Sequence, residues 1–217
     1  MTDPQDTSAV PGNFRERRSS LEPAPLPAEF YDRPADAVAR DLLGCLIISE
    51  AGGVRVTAAI EETEAYVGPD DEASHAHRRF GRTARNTPMF GPPGISYVYL
   101  IYGMHWCLNV VTGSPEHPAA VLLRAARPVS GPETMRARRP GRSDRDLLRG
   151  PGNLGRALGL DGRFNAIPLD RPPLWIAAGT VFRDDEVSIG PRIGISRAAE
   201  APLRFWVGGS RWVSGKA

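Results

Sequence analysis

Lysine is almost absent from this chain of 217 residues, because Lys216 is the only one. The positive charge is therefore nearly all arginine, and the formal net charge is only +2. Such a balance does not by itself indicate a nucleic-acid partner. The shortage of amines excludes most routes to Schiff-base chemistry, which needs a lysine or another amine as nucleophile.

Cysteine is scarce as well, since only Cys45 and Cys107 occur, both in apolar runs where a thiol behaves as a small buried hydrophobe. No Cys-x-x-Cys pair is present, so we expect no metal and no other cofactor. The N-terminus has no apolar signal region, and no stretch approaches the roughly 20 apolar residues of a membrane span. We therefore expect a cytoplasmic protein with no membrane partner.

The remaining composition, 41% hydrophobic and 24% charged, is that of an ordinary globular protein. Residues 1–27 mix proline, serine and charged residues without a hydrophobic period, which predicts a flexible N-terminal tail. A single domain over residues 28–217 is expected to follow. Short strands separated by turns, with a few short helices, predict an α+β fold with a mainly antiparallel, curved sheet.

The local patterns predict the elements of this domain. Helical spacing predicts a helix over 34–43 and a shorter one over 154–158. Proline followed by three acidic residues predicts a further short helix that begins near Pro69 and ends near His75. Strands are predicted at 45–49, 54–66, 97–101, 106–112, 120–125, 174–177 and 203–207. The third and fourth of these form a hairpin with Tyr102 at its tip.

Carboxylates stand out in the strand over 54–66. Because side chains alternate along a strand, Glu62, Glu64 and Tyr66 should share one face, together with Ile60. Carboxylates beside apolar side chains suit a cleft better than a core, and one of them could act as a general acid or base. Two carboxylates on one face also allow a carbohydrate hydrolase as an alternative.

Other polar residues in apolar surroundings indicate a ligand site. Asn109 and Arg124 each lie within a hydrophobic strand, where a buried amide needs partners and a buried guanidinium needs an anion. Glu64 is the natural anion for Arg124. His75 and His77, with two nearby acidic residues, resemble a metal cluster only weakly, because no third ligand has suitable spacing. A histidine that hydrogen-bonds a ligand is the stronger interpretation.

Several longer motifs, in order from about residue 28 to the C-terminus, closely resemble the alkyladenine (3-methyladenine, N-methylpurine) DNA glycosylase family. They are Glu-Thr-Glu-Ala-Tyr at 62–66, Gly-Pro-Asp-Asp-Glu-Ala-Ser-His at 68–75, Arg-Asn-x-x-Met-Phe at 85–90, Tyr-Val-Tyr-Leu-Ile-Tyr-Gly-Met at 97–104, Leu-Asn-Val at 108–110, Val-Leu-Leu-Arg-Ala at 121–125 and Arg-Phe-Trp-Val-Gly-Gly-Ser-Arg-Trp-Val-Ser at 204–214.

This resemblance implies a base excision repair enzyme that flips a damaged purine out of duplex DNA and hydrolyses its N-glycosidic bond. It implies that Glu64 activates a water held by Arg124 and by the main-chain carbonyl of Val207. Asn109 would discriminate against the guanine amino group, and Tyr102 would take the place of the extruded base. The side chains implied to hold the flipped base are Tyr66, His75 and Tyr99.

The resemblance also implies contacts to DNA by Thr83, Arg85, Met89, Met104, His105 and Arg211. Asn153 stands where some relatives carry a lysine, so the arginine-rich stretch 136–149 is a second candidate for phosphate contacts. We expect a monomer without an obligate protein partner, acting on damaged double-stranded DNA in the cytoplasm. We also expect no lyase activity, because Lys216 is the only candidate amine. A non-catalytic protein that binds damaged DNA is the other alternative.

Overall fold

The computed structural model describes residues 23–215. Its α-helices in this range are short: α1 (Ala28–Tyr31), α2 (Ala35–Asp41), α3 (Pro132–Arg138) and α4 (Pro151–Leu158). Its strands are β1 (Leu46–Ser49), β2 (Val56–Tyr66), β3 (Ser96–Ile101), β4 (His105–Thr112), β5 (Ala119–Ser130), β6 (Asp170–Arg171), β7 (Leu174–Ala177), β8 (Val187–Gly190) and β9 (Arg204–Val207). Across residues 23–215, every helix is too short or too polar to cross a membrane.

In the described part of the chain, all nine strands join one antiparallel sheet, in the order β3-β4-β5-β2-β1-β7-β6, with β9 attached to β2 and β8 attached to β9. The predicted α+β fold with a mainly antiparallel sheet is confirmed. Strand β2 is central: β5 pairs along one edge, and β1 and then β9 share the other. The C-terminal half of β2 is therefore enclosed on both sides.

The pairing of β2 with β5 shifts register after Thr57 and on both sides of Glu62. Such irregularities bend a strand and change which way its side chains point. Ile60 before the shift and Ala65 after it both belong to the main hydrophobic core, although their numbers differ in parity. The prediction that Ile60 shares the face of Glu62 and Glu64 is therefore wrong.

The main core lies between the sheet and helices α2 and α4, with α2 against β2 and β5, and α4 against β4 and β5. Helix α4 approaches β4 closely at Gly155, where an added Cβ would lie 2.0 Å from the carbonyl oxygen of Trp106. Only glycine permits this approach. The contact brings the first residues of α4 to the edge of the β3–β4 hairpin.

Residues 67–80 form turns instead of the predicted helix. The Asp71 carboxylate accepts hydrogen bonds from the backbone N–H groups of Val67, at 3.3 Å, and Ala73, at 3.1 Å. A side chain that captures nearby backbone donors in this way competes with helical hydrogen bonding. The acidic residues that suggested a helix start therefore build a loop.

The ordered chain joins the sheet before residue 28. Pro25 forms a bridge with Ala177, and the Leu26 N–H donates to the carbonyl of Ile176 at 2.9 Å. The end of the predicted tail is thus part of the fold. The rest of the tail prediction, residues 1–22, lies outside the described residues, as does Lys216.

Candidate active site

A cavity of about 330 Å³ opens between the end of β2, the β3–β4 hairpin and the start of α4. Its lining combines aromatic rings with a few polar groups, which is the usual composition of a small-molecule site. Residues from separate segments meet here: Tyr66, Ser74, His75, Met89, Tyr97, Tyr99, Tyr102, His105, Cys107, Asn109, Arg124, Gly152 and Ile193.

Glu64 lies directly beneath this cavity with its side chain completely buried. Its Oε1 accepts a hydrogen bond from the Ile193 backbone N–H at 2.7 Å, and its Oε2 accepts one from the Tyr66 hydroxyl at 3.1 Å. Nη1 of Arg124 lies 3.2 Å from Oε2, so Arg124 has the anion that the sequence predicted for it. All three partners of the carboxylate line the cavity.

Glu62 occupies a different environment two residues away on the same strand. Its carboxylate accepts hydrogen bonds from Nε of Arg204 at 2.7 Å, from Nε of Arg124 at 3.3 Å and from the backbone N–H of Ser214. These donors take up both oxygens of a completely buried side chain. Glu62 therefore fixes Arg124 and the C-terminal segment, and this arrangement argues against a two-carboxylate carbohydrate hydrolase.

His75 stands at the cavity wall with its ring against that of Tyr99, at 4.6 Å between centroids. Its Nδ1 lies 3.0 Å from the Tyr97 hydroxyl, which leaves Nε2 as the ring nitrogen available to a ligand. Burial, and secondarily the positive charge of Arg85, lowers the pKa of His75 below its usual value. This shift favours the neutral imidazole.

The tautomer of His75 follows from its neighbours. Burial raises the pKa of the Tyr97 phenol to about 12, although the nearby Arg85 guanidinium acts in the opposite direction. The phenol thus keeps its proton. Tyr97 can then donate to Nδ1 of His75, which places the imidazole hydrogen on Nε2.

Tyr66 and Tyr99 supply aromatic surface to the cavity, and both have pKa values raised by burial, so they are neutral. Arg85 stacks over the Tyr99 ring at 5.0 Å. Asn109 lies in β4 and lines the cavity while its Nδ2 donates to the Tyr97 carbonyl at 3.0 Å. Asn109 therefore joins β3 and β4 through Nδ2, and its amide oxygen is not used in that bond.

The hairpin tip projects from the cavity rim. Tyr102 is 83% exposed and Met104 69% exposed. Tyr102 also has a φ of 52° and is followed by Gly103 at 68°, the left-handed pair that a tight β-turn of this type requires. A bulky residue there carries backbone strain that glycine or asparagine would avoid. Tyrosine at this position is therefore not explained by folding.

The structure does not bring Val207 to the cavity. Val207 lies in β9, pairs with Val187 of β8, and its carbonyl accepts a hydrogen bond from the Ser210 N–H at 3.2 Å. Its carbonyl thus serves the turn that follows β9, and within residues 23–215 no contact joins it to Glu64 or to the cavity lining. Ile193, in the loop between β8 and β9, is the residue whose backbone contacts Glu64.

Ile193 was missed because a backbone contact leaves no signature in side-chain type. Tyr97 is predicted only as a strand residue, although its hydroxyl contacts His75. Arg192, next to Ile193, carries no predicted role. The Gly-Pro-Arg-Ile-Gly sequence at 190–194 shows an arginine held among small and rigid residues, which is the one available signal.

The predicted DNA contacts fall into two groups. Thr83, Arg85, Met104 and Arg211 are exposed, and His105 lies half-buried at the cavity rim. Met89 is instead 2% exposed, lines the cavity and packs against Tyr97 and Ala76 in a small hydrophobic cluster. It can touch a ligand in the cavity but not a DNA backbone outside it.

The histidine and acidic residues at 71–77 do not gather around a common point. Asp71 pairs with Arg192, and His75 pairs with Tyr97. Across residues 23–215, no group of three or more histidine, cysteine, aspartate or glutamate side chains is arranged to hold a metal ion.

An aromatic cavity with a buried carboxylate beneath it and a histidine in its wall is the candidate active site of this chain. Comparison with known proteins gives the family. The profile of the methylpurine-DNA glycosylases matches residues 29–211, and the chain belongs to that family.

Similar proteins span nearly the whole chain. A relative from Carboxydothermus hydrogenoformans is 42% identical over 192 residues, which cover 88% of this chain and 99% of the relative. One from Myxococcus xanthus is 49% identical over 194 residues, covering 87% and 93%. One from Frankia casuarinae is 45% identical over 203 residues, covering 88% and 93%. Each is named "Putative 3-methyladenine DNA glycosylase".

Proposed function

We propose that this protein is a monofunctional DNA glycosylase that extrudes alkylated or deaminated purines from duplex DNA and hydrolyses the N-glycosidic bond. The observation that carries the proposal is the buried Glu64 beneath an aromatic cavity, with Arg124 and the Ile193 backbone at its two oxygens. Glu64 is the general base that removes a proton from the attacking water. The product is an abasic site in an uncut strand.

The cavity suits bases that carry a positive charge. Alkylation at N3 or N7 leaves a purine cationic, and a desolvated cation over a tyrosine ring gains roughly 1–2 kcal/mol. Tyr66 and Tyr99 offer such rings. The charge on the base also weakens its bond to the sugar, so these lesions need little further help to leave.

Neutral lesions such as hypoxanthine and ethenoadenine need more from the cavity wall. The Nε2–H of a neutral His75 can donate a hydrogen bond to a ring nitrogen or carbonyl of the base and stabilise the negative charge that develops as it leaves. Asn109 lines the same cavity and discriminates against the guanine amino group. Base selection therefore rests on His75 and Asn109.

Duplex DNA approaches from the side of the hairpin. Exposed Tyr102, held in a strained backbone conformation, fills the gap that the extruded base leaves, as apolar wedges do in other proteins that unstack DNA. A second cavity of about 470 Å³ is lined by Arg139, Arg142, Arg149, Asn153 and Ser214. Its guanidinium groups supply the phosphate contacts that the arginine-rich stretch was expected to make.

The test is release of a base without strand cleavage. A duplex carrying one hypoxanthine or one 7-methylguanine is incubated with the protein and then treated with alkali, which breaks the strand at abasic sites. Breaks that need alkali, and that the Glu64→Gln protein does not produce, are the expected result. Binding without breaks would identify a damage-binding protein instead. A covalent adduct trapped by borohydride would contradict the absence of lyase activity.

A further inference from the structure

Arg192 and Asp71 form a buried ion pair beside the active site that no step of the proposed reaction uses. Nη1 and Nη2 of Arg192 lie 2.5 and 2.8 Å from the two carboxylate oxygens of Asp71. The two side chains are 0% and 1% exposed. Because removing two charges from water costs more than apolar packing at the same place, stability alone does not account for the pair.

The pair joins three separate segments of the site. Arg192 precedes Ile193, whose N–H donates to Glu64. Its Nη1 also donates to the carbonyl of Ala65 at 2.9 Å, between Glu64 and Tyr66 in β2. Asp71 belongs to the third segment, the loop that carries His75. A single guanidinium thus connects β2, which carries Glu64, to two loops: the loop between β8 and β9, and the loop that carries His75.

Arg192 also fixes the plane of an aromatic ring. Its guanidinium carbon lies 4.8 Å from the centre of the Tyr66 ring. Tyr66 lines the cavity, whereas Arg192 does not. The guanidinium therefore backs the ring on the side away from the bound ligand and sets the wall against which a base would stack.

The loop with His75 is held from outside at its two ends: Asp71 pairs with Arg192, while Nδ2 of Asn86 donates to the His75 carbonyl at 3.0 Å. Its turn hydrogen bonds run within residues 68–80, as in Ser74 N–H to Asp71 carbonyl and His77 N–H to Ser74 carbonyl. Asp71 in turn holds Val67 and Ala73 through their backbone N–H groups. A shift of Asp71 is therefore passed along the loop to His75.

We propose that Arg192 and Asp71 are positioning residues that keep Glu64, Tyr66 and His75 in mutual register for base release. The inference rests on the proposed function, and it assigns no chemical step to either side chain. A bidentate guanidinium–carboxylate pair fixes both the separation and the angle of the two groups. The geometry of the Arg192–Asp71 pair, and not its charge alone, therefore sets the distances between the three segments.

Three variants separate positioning from stability. The double variant Asp71→Asn with Arg192→Met removes both charges together and leaves neither uncompensated in the interior. Asp71→Glu keeps both charges but lengthens one arm by a methylene. The matched control is Glu72→Gln with Arg197→Met, because that pair joins the same two loops at 3.4 Å with both side chains about half exposed.

Single-turnover excision of hypoxanthine, affinity for undamaged duplex and thermal melting are measured on each variant. Since a displacement of about 1 Å can cost a hundredfold in rate, we expect the double variant and Asp71→Glu to excise about 100-fold more slowly. Affinity for undamaged duplex should stay at the wild-type value, and the control pair should excise at the wild-type rate. A folded double variant with the wild-type rate would overturn the proposal, and if it does not fold, the wild-type rate in Asp71→Glu would do so.

A readout that does not need catalysis keeps the two proposals distinguishable. The ring resonances of His75 in NMR spectra should shift in the double variant and in Asp71→Glu, and not in the control. If the wild-type protein released no base, the proposed function would be wrong, and the positioning role would then be decided by these resonances. Unchanged His75 resonances in both variants would overturn it.

Discussion

The end of β2 and the tip of the β3–β4 hairpin lie on the same cavity but differ in almost every physical respect. Glu62 and Glu64 in β2 are completely buried, and both are held by Arg124. Tyr102 at the hairpin tip is 83% exposed and packs against little. The proposed function thus places the chemistry on an enclosed strand and the contact with DNA on an exposed turn.

The comparison also explains why the strained residue is at the tip. A buried strand between two neighbours has its geometry fixed from both sides, so it can hold charges at defined distances. The three-residue loop over 102–104 is constrained only by its two strands. Backbone strain at the hairpin tip therefore lowers the free energy of unfolding by less than the same strain in the core would. The left-handed backbone conformation also keeps the Tyr102 side chain pointing away from the protein.

We expect the largest loss of activity on substitution of Glu64. Glu64→Gln removes the general base while keeping the hydrogen bonds to Ile193 and Tyr66 possible, so excision should fall about 1,000-fold. Single-turnover rates measure the effect, and affinity for lesion-containing DNA should change little. Glu61→Gln on the same strand is the matched control, since Glu61 pairs with Arg127 away from the cavity. Equal losses in both variants would contradict the assignment of Glu64.

Glu62 should affect folding instead. Glu62→Ala leaves Arg124 and Arg204 buried without their shared anion, which should lower the free energy of unfolding by about 3–5 kcal/mol. Urea denaturation measures this change. Glu61→Ala, which breaks a partly exposed pair, should cost less than about 1 kcal/mol. A Glu62→Ala protein as stable as the wild type would remove the distinction between the two carboxylates.

At the hairpin tip, activity and stability should move in opposite directions. Tyr102→Gly relieves the left-handed backbone strain and should raise the free energy of unfolding by up to about 1 kcal/mol. The same variant loses the wedge, so excision from a well-paired lesion should fall about tenfold, the loss expected from one stacking contact of about 1–2 kcal/mol. A lesion in single-stranded DNA needs no wedge and serves as the control. A loss of equal size on that substrate would contradict the role.

The smallest effect should come from His75, which lies between the two regions. Its pKa is lowered in the folded protein, so the unfolded chain binds more protons between the folded value and the usual value near 6.5. The free energy of unfolding should therefore decrease as the pH falls through that interval. His75→Gln should flatten this part of the profile, and His77→Gln, at a half-buried position two residues further on, serves as the matched control and should leave it unchanged. If the dependence of the free energy of unfolding on pH remained in His75→Gln, another titratable group would be its cause.

Much of the site was predictable because it consists of side chains whose type is unusual for their place. A carboxylate at Glu64, an amide at Asn109 and a guanidinium at Arg124, each in an apolar strand, all require a partner or a ligand. Period and turn residues predicted the strands that carry them. The resemblance of the motifs then indicated the family, which the comparisons confirm.

The predictions that differ from the structure share a physical cause, because each depends on backbone groups or on strand register. Alternation placed Ile60 on the wrong face because a register shift at Glu62 depends on how β5 pairs with β2. The role expected of the Val207 carbonyl followed its position in a motif, whereas in the fold this carbonyl accepts a hydrogen bond from the Ser210 N–H in the turn after β9. The helix predicted before His75 gave way to turns because Asp71 captures backbone donors and Arg192 captures Asp71.

Residue types and spacing indicate, without any coordinates, an α+β chain with almost no lysine, a strand with several carboxylates, an aromatic hairpin and the family to which they belong. These follow from residue type and local period, which are properties of short segments. The fold was needed to show that Glu62 binds Arg124 and Arg204 while the partners of Glu64 line the cavity, that the Ile193 backbone contacts Glu64, and that Arg192 and Asp71 join three segments. Those facts depend on contacts between residues up to 152 positions apart, such as Ser214 with Glu62, and no local pattern specifies contacts over that separation.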